Sequence, residues 1–466
     1  MEAKNRGNSF KIMSKLRRIF ESTPEIAFIS PQQEFSLYWN SFLESELGRI
    51  YQAIPWDQLI KSLKLKEKRS GRKPMFSSQG KLALMFLKAY SGMSDRKVYE
   101  QLNGNIQWQL FCGIFLGPEK LKDFKVISRI RTELSQKLNI REVQDVLAKS
   151  WKPHMEQTNI VLEDATCYER YMRYPTNVKL LWECVDWMYG QMKLTCKRLK
   201  IPTPRTKYIE QKDKHFAYMR MRKKPWKLTV KRTRSLLYLL EKVIEEQKKI
   251  EDQHRSLRFP EKYHHRRRVI AEVLKQQKEM FTTGTHSVPD RIVSIAKSYV
   301  RPIVRGKEVK KVEFGAKVNM IQVDGINFIE HLSFDAFNEG PRLIYSIWYS
   351  RSLFGKITHI SADDIYATNA NRKWCTEHKI GTNFKRKGRA GKYEDQRQVL
   401  AAELRKERAT RMEGSFGTEK QHYSLDRIKA RTEKNEILLI FFGVHTANAV
   451  RIAKRLAQEK LPSLAA

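Results

Sequence analysis

Apolar residues recur at helical intervals from about residue 31 to residue 155, as in Leu82, Met85, Phe86 and Ala89. Within this block Lys81–Tyr90 reads as one helix, Ser91-Gly92-Met93-Ser94 as a turn, and Asp95–Leu102 as a second helix capped by Ser94. Two short helices across a glycine turn describe either a helix-turn-helix or an ordinary corner of a helical bundle. The pattern changes at Asn159–Asp164, where Ile160, Val161 and Leu162 form a short buried strand ending at Asp164. Helical spacing returns over residues 235–250 (Leu236, Leu239, Leu240, Val243, Ile244) and 268–281, with Pro260 between. This predicts a helical hairpin inserted between strands.

From residue 311 the period shortens. Residues 317–334 predict two strands around a turn at Gly325, and 356–361 a short strand running into Ala362-Asp363-Asp364. Residues 343–353 fit helix or strand equally. Helices are expected at 369–378, at about 394–420 and at about 435–456, with a basic loop at 384–392. Strands interleaved with helices predict an α/β core. The layout is then a leader (1–30), an all-α N-terminal domain (31–155) and an α/β domain (156–466) interrupted at 190–310.

Composition sharpens this picture. The 466 residues, 41% hydrophobic, can build two or three cored units. Lys and Arg total 90 against 51 Asp and Glu, a net charge of +39, so the expected partner is a polyanion. Residues 191–310 hold 33 Lys/Arg and 12 Asp/Glu, which concentrates +21 in the insertion. Tyr208, Phe216, Tyr218 and Trp226 interleave with these cations. They suit either stacking on unpaired bases or packing of a small helical subdomain. Five cysteines without paired spacing suit a reducing compartment. The longest apolar run, Ile437 to Val444, is far shorter than the ~20 residues of a membrane helix. A basic N-terminus without an apolar segment gives no secretory signal, so a cytoplasmic, nucleoid-associated location and no membrane partner are expected.

Against this basic background, acids at strand ends stand out. Asp164 and Asp363 follow predicted strands, and Glu413 lies on the long late helix. Carboxylates brought together from distant positions can hold magnesium for phosphoryl transfer. Taken one at a time, each residue is better explained as a turn, cap or solvated side chain.

Local context favours the first explanation. Ile160 to Cys167 (I-V-L-E-D-A-T-C), Tyr174-Pro175-Thr176-Asn177 and Leu180-Leu181 resemble a run found in the DDE transposases of bacterial and archaeal insertion sequences, the insertion-sequence-five superfamily. Ala362-Asp363-Asp364-Ile365-Tyr366 with Asn371-Arg372 is similar to that family's "A-D-x-x-Y … N-R", which selects Asp363 over Asp364. Met412-Glu413-Gly414-Ser415-Phe416-Gly417 with Lys420 is similar to its "I-E-G-x-F-G … K". Gly71-Arg72-Lys73-Pro74, Ser94-Asp95 and Trp108 to Gly113 look like its N-terminal domain. Arg301-Pro302-Ile303, Arg305-Gly306-Lys307 and Glu313 to Lys317 look like its connector. Two departures stand out. The family's Arg four residues before the glutamate is here Ala409, with Arg408 and Arg411 beside it, and its Asp in "Y-P-T-D" is Asn177.

The resemblance implies a ribonuclease-H-like core, a mixed sheet with flanking helices, in which Asp164 and Asp363 sit on strand ends and Glu413 on a helix. It implies catalysis and metal binding by Asp164, Asp363 and Glu413 with two Mg²⁺ ions, Mn²⁺ being tolerated. Phosphate contacts are implied for Lys420 and Arg408, with further DNA contacts at Arg372, Arg72 and Lys73. The implied activity is cleavage at transposon ends and joining of the 3′-hydroxyl to target DNA. The implied partners are double-stranded DNA (terminal inverted repeats and target) and, in a synaptic complex, a second copy of the chain. A site-specific endonuclease without strand transfer, and a catalytically idle DNA-binding regulator, are the alternatives.

Overall fold

The computed structural model describes residues 31–67, 70–71, 74–117, 119–304 and 312–459. The leader, Arg72, Lys73 and the Arg305-Gly306-Lys307 stretch lie outside the described residues. The protein is a mixed α/β molecule built on one six-stranded sheet: β1 (Ile160–Glu169), β2 (Pro302–Val304), β3 (Val312–Val323), β4 (Ile326–Ser333), β5 (His359–Ser361) and β6 (Gly381–Thr382). β1 and β3 are central and antiparallel, and almost every residue of both is buried or nearly so. Covered on both faces, the two strands bury polar side chains such as Glu163, Asn319 and Gln322 along with their apolar ones. β2 and β4 share the outer edge of β3, while β5 runs parallel to β1 and β6 parallel to β5.

The β3–β4 turn behaves as Asp-Gly turns do. Asp324 and Gly325 both take positive φ, 47° and 78°, as the two-residue hairpin with matching twist requires. The Asp324 carboxylate also accepts from the Glu156 amide (3.0 Å) and from Arg455 (2.8 Å), which pins the tip. Residues 342–354, where helix and strand were equally open, form a helix whose buried face is Leu343, Ser346, Ile347, Ser350 and Leu353. One expectation is corrected. β1 does not stop at Asp164 but continues five residues to Glu169, because its pairing with β3 runs on to Glu169 opposite Gly315. Asp164 is therefore a mid-strand residue.

The N-terminal block contains the two helices expected, Ser78–Ser91 and Asp95–Leu102, with Gly92 in the left-handed conformation between them and Ser94 Oγ accepting from the Lys97 amide. The block shares one continuous apolar core with a face of the sheet: Phe86 meets Phe442 edge-on at 4.9 Å, and Leu147 and Trp151 join Val161, Ile321, Phe328 and Phe441. Between β1 and β2 stand four helices, Asn177–Leu199, Tyr208–Arg220, Trp226–Gln253 and Glu261–Thr283. The last two are the expected hairpin. They pack on the first helix through a separate apolar cluster that includes Val185, Met188, Leu240, Val243 and Ile270.

The last described helix, Glu433–Glu459, is long and apolar enough to cross a membrane, unlike the short run read from the sequence. It is instead the mostly buried helix on which the N-terminal block and β4 pack. At its middle, fully buried His445 donates from Nε2 to Gln144 Oε1 (3.0 Å) and accepts at Nδ1 from Asn448 Nδ2 (3.2 Å), and Gln144 also pairs with the backbone of Ile329 in β4. Burial lowers the His445 imidazole to about 3. An unfolded chain takes up this proton near pH 6.5 and the folded one only near 3. Stability is thus flat with respect to this group above 6.5 and falls as pH drops below it, approaching about 1.4 kcal/mol per pH unit. Urea midpoints measured from pH 7 to pH 4.5 are expected to fall less steeply in His445→Gln than in the parent protein.

Candidate active site

Strand register brings the two aspartates together. An offset of 199 residues relates Ile160 to His359, Val161 to Ile360 and Leu162 to Ser361 in the parallel β1–β5 pair. The same offset relates Asp164 to Asp363. β5 ends at Ser361, so at the level of Asp164 the neighbouring chain has left the ladder and turned outward. A gap opens beside β1 at that point, and a helix fills it.

Residues 394–422 form one helical rod in three parts: an α-helix (Glu394–Glu407), a π-turn (Arg408–Met412) and an α-helix (Glu413–His422). Met412 is buried in the apolar cluster with Leu162 and Tyr168, which seats the π-turn against the sheet. Arg408 then reaches both aspartates, with one guanidinium nitrogen 2.8 Å from Asp164 and another 3.6 Å from Asp363. The π-turn accounts for the departure in spacing noted above. Its i→i+5 bonding stacks residues five apart, as an α-helix nearly stacks residues four apart, so Arg408 rather than Ala409 underlies Glu413. π-turns inside helices are frequent at functional sites.

The two aspartates differ in environment. Asp164 is largely buried, and burial, with Asp363 and Glu339 adding like charge against the opposing pull of Arg408, pushes its carboxyl up to about 6. Asp363 is half exposed and begins the short 3₁₀ turn Asp364–Tyr366. That turn is held firmly. Tyr366 is fully buried and donates to Asn319 Oδ1 (2.5 Å) on β3, while Asn371 donates to the carbonyls of Gly340 and Tyr366 (2.7 Å each). Asn319 Nδ2 donates in turn to Glu163 (2.8 Å) and Glu330 (3.0 Å). Fully buried Glu163, adjacent to Asp164, has its carboxyl raised to about 8 by burial. The Tyr and Asn of the second motif therefore lock the Asp363 turn to the strand that carries Asp164.

The other sequence candidates are less alike. Glu413 opens the last part of the rod and faces solvent, and Phe416 on the same face is buried. Lys420, also on that face, lies with its ammonium 6.0 Å from the centre of the Tyr168 ring. Among the described residues no three His, Cys, Asp or Glu side chains lie close enough to hold a metal, so Glu413 is not gathered with the two aspartates. Arg372 donates to the backbone carbonyls of Ala367 and Lys385 and lies over Phe384, bracing the loop beyond Asp363. Of the four interleaved aromatics, Tyr208 and Tyr218 are buried, Tyr208 stacking on Tyr189 and Trp182, whereas Phe216 and Trp226 are exposed.

Glu339 escaped the sequence reading. It sits in the loop before the Arg342–Phe354 helix, ion-paired to Lys317 at 2.7 Å, and its charge reaches Asp164. Nothing in its local pattern distinguishes it from a surface acid.

An aspartate on a central strand and a second just past the end of the neighbouring strand, spanned by an arginine on the adjoining helix, form an acidic site set in a strongly basic protein. Comparison with known families agrees on the class: a Transposase domain (DUF772) matches residues 38–133, and a Transposase DDE domain matches residues 360–445. The second span contains Asp363, Arg408, Glu413 and Lys420. No curated protein and no solved structure matches the chain. Over these two segments the chain is similar to transposases, the second segment to those of the DDE type.

Proposed function

We propose that the protein is a DDE transposase that cleaves DNA at the ends of its element and joins the freed 3′-hydroxyl to target DNA, with Asp164, Asp363 and Glu413 as its acidic residues. The register of β1 and β5, which sets Asp164 beside Asp363 under one guanidinium, carries this reading. The strand order, an antiparallel β1–β3–β4 series extended by β5 and β6 parallel to β1, supports a ribonuclease-H-like core.

The donor set fits a divalent cation at the aspartate pair. Carboxylate oxygens are the hard ligands that Mg²⁺ takes, and Mn²⁺ suits them too. Burial and neighbouring negative charge leave Asp164 short of positive compensation, which Arg408 supplies in part. Glu413, one turn beyond Arg408, stands apart from the aspartate pair in this structure and is proposed as the third ligand on the resemblance of its motif alone. When bound, magnesium supplies Lewis-acid polarisation of the phosphodiester and charge neutralisation. The protein's own groups do the rest. Asp164 and Asp363 define the cation position, the Tyr366–Asn319 bond keeps the Asp363 turn fixed, and Arg408 is the cation nearest to an incoming phosphate. Lys420 would contact the strand further along the same helix face.

The reaction is tested by incubating labelled element ends with a supercoiled plasmid and Mg²⁺. Joined products are expected, and cutting without joining would refute the transfer half of the proposal. The cationic insertion is proposed to grip DNA through phosphates. Replacing four of its exposed lysines, Lys223, Lys224, Lys227 and Lys231, by glutamine is expected to flatten the slope of log K against log salt by up to about 0.9 for each phosphate no longer neutralised. An unchanged slope would assign the insertion another role.

A further inference from the structure

A cavity of about 630 Å³ opens between the insertion and the segment that leaves β1. Its wall combines features that three other surface cavities lack together. Tyr174 and Trp226 line it and are 63% and 67% exposed, large rings left in water within an otherwise cationic region. Tyr174 is held edge-on by Phe314 at 5.6 Å, and Trp226 stands at 84° to His286, so both are positioned rather than loose. Arg234 and Arg291 supply positive charge, Arg291 being oriented by Asn177 Oδ1 (2.8 Å) and by the His286 carbonyl (2.7 Å). Two buried polar atoms on lining residues, Gln277 Oε1 and Arg291 Nε, have no hydrogen-bond partner among the described residues, which leaves one acceptor and one donor unused. Among the described residues no carboxylate lines this cavity, whereas Glu44, Glu261, and the trio Glu156, Asp324 and Glu459 line the other three.

A ligand for this cavity must be anionic, offer an aromatic face, and carry donors and acceptors at the ring edge. We infer that the cavity takes a single unpaired nucleotide of the bound DNA, its base stacked on Trp226 and Tyr174 and its phosphate facing Arg234 and Arg291. The volume lies within the range of pockets that enclose one small ligand and is far too small for a paired duplex. A base leaves a duplex at a cost of a few kcal/mol, least where it is already unpaired, and a stacking pocket offsets that cost. The inference rests on the proposal that the insertion binds DNA. It adds that the insertion reads strand opening as well as charge.

The test uses binding alone, in EDTA, so that it is independent of cleavage. Two labelled duplexes are compared by anisotropy, one fully paired and one identical but carrying a single extrahelical 2-aminopurine. Wild-type protein is expected to prefer the second on the order of tenfold, with the 2-aminopurine emission quenched on binding. Trp226→Ala is expected to lose the preference and the quenching while keeping its affinity for the paired duplex, and Trp226→Phe to retain both. Because Trp226 is exposed, an unchanged melting temperature should accompany either variant. Equal wild-type affinity for the two probes, or a preference that survives Trp226→Ala, would overturn the nucleotide pocket and leave DNA binding intact. Failure to bind either probe would overturn the pocket and the DNA-gripping role of the insertion together.

Discussion

Asp164→Asn and Asp363→Asn are each expected to reduce Mg²⁺-dependent strand cleavage by at least about a thousandfold while leaving the protein folded. The magnitude follows from removing one carboxylate of the pair proposed to hold a cation, since metal stabilisation of the transition state is worth several kcal/mol and each 1.36 kcal/mol is tenfold in rate. The preserved fold follows from the surroundings. Burial already disfavours the charged form of Asp164, whose carboxyl is raised to about 6, so the neutral asparagine removes a cost to folding and forgoes one ion pair with Arg408. A melting temperature equal to or above the parent's, with cleavage lost, would separate a functional acid from a structural one. Full cleavage in either folded variant would remove that residue from the site.

The second large effect concerns stability. Arg170, one residue past β1, is fully buried and ion-paired to fully buried Glu436 on the Glu433–Glu459 helix, and it also donates to Tyr299 Oη and the Ala430 carbonyl. Removing one member strands a charge in the interior. Arg170→Met is expected to cost roughly 3–5 kcal/mol, read as a lowered urea midpoint. The double variant Arg170→Met, Glu436→Leu should recover much of that loss, because no unpaired charge remains. Equal destabilisation in the single and double variants would show that packing rather than charge is responsible.

What could be read along the chain was what local chemistry decides. The Asp-Gly turn at 324–325, the cap at Ser94 and the helical stripe around Leu236 and Leu240 each depend on neighbours a few residues away, and each forms where expected. The choice of Asp363 over Asp364 rested on spacing to Tyr366. The structure supplies a physical reason for that spacing, in the bond from Tyr366 to Asn319. Illegible features depend on distant partners. β1 extends to Glu169 only because β3 lies beside it, and a local run of apolar residues cannot register that. The π-turn that brings Arg408 beneath Glu413 inserts one residue into a helix without altering its hydrophobic pattern enough to be noticed. Glu339 acts at Asp164 through a loop far away in sequence, and its neighbours Asn338 and Gly340 carry no signal of it.

The core shared by the N-terminal helices and the sheet bears on how such a protein can be taken apart. Cutting the chain near residue 155 would expose Val161, Ile321, Phe328, Phe441 and Phe442 to water, because these side chains complete the packing of Phe86, Leu147 and Trp151. A fragment carrying the aspartate pair, prepared that way, would present a wide apolar face and would tend to aggregate. Exchanging the N-terminal block for that of a relative would require repacking the sheet's own underside. Any change in which DNA ends are recognised, if it is made in that block, is mechanically tied to the scaffold that carries Asp164 and Asp363.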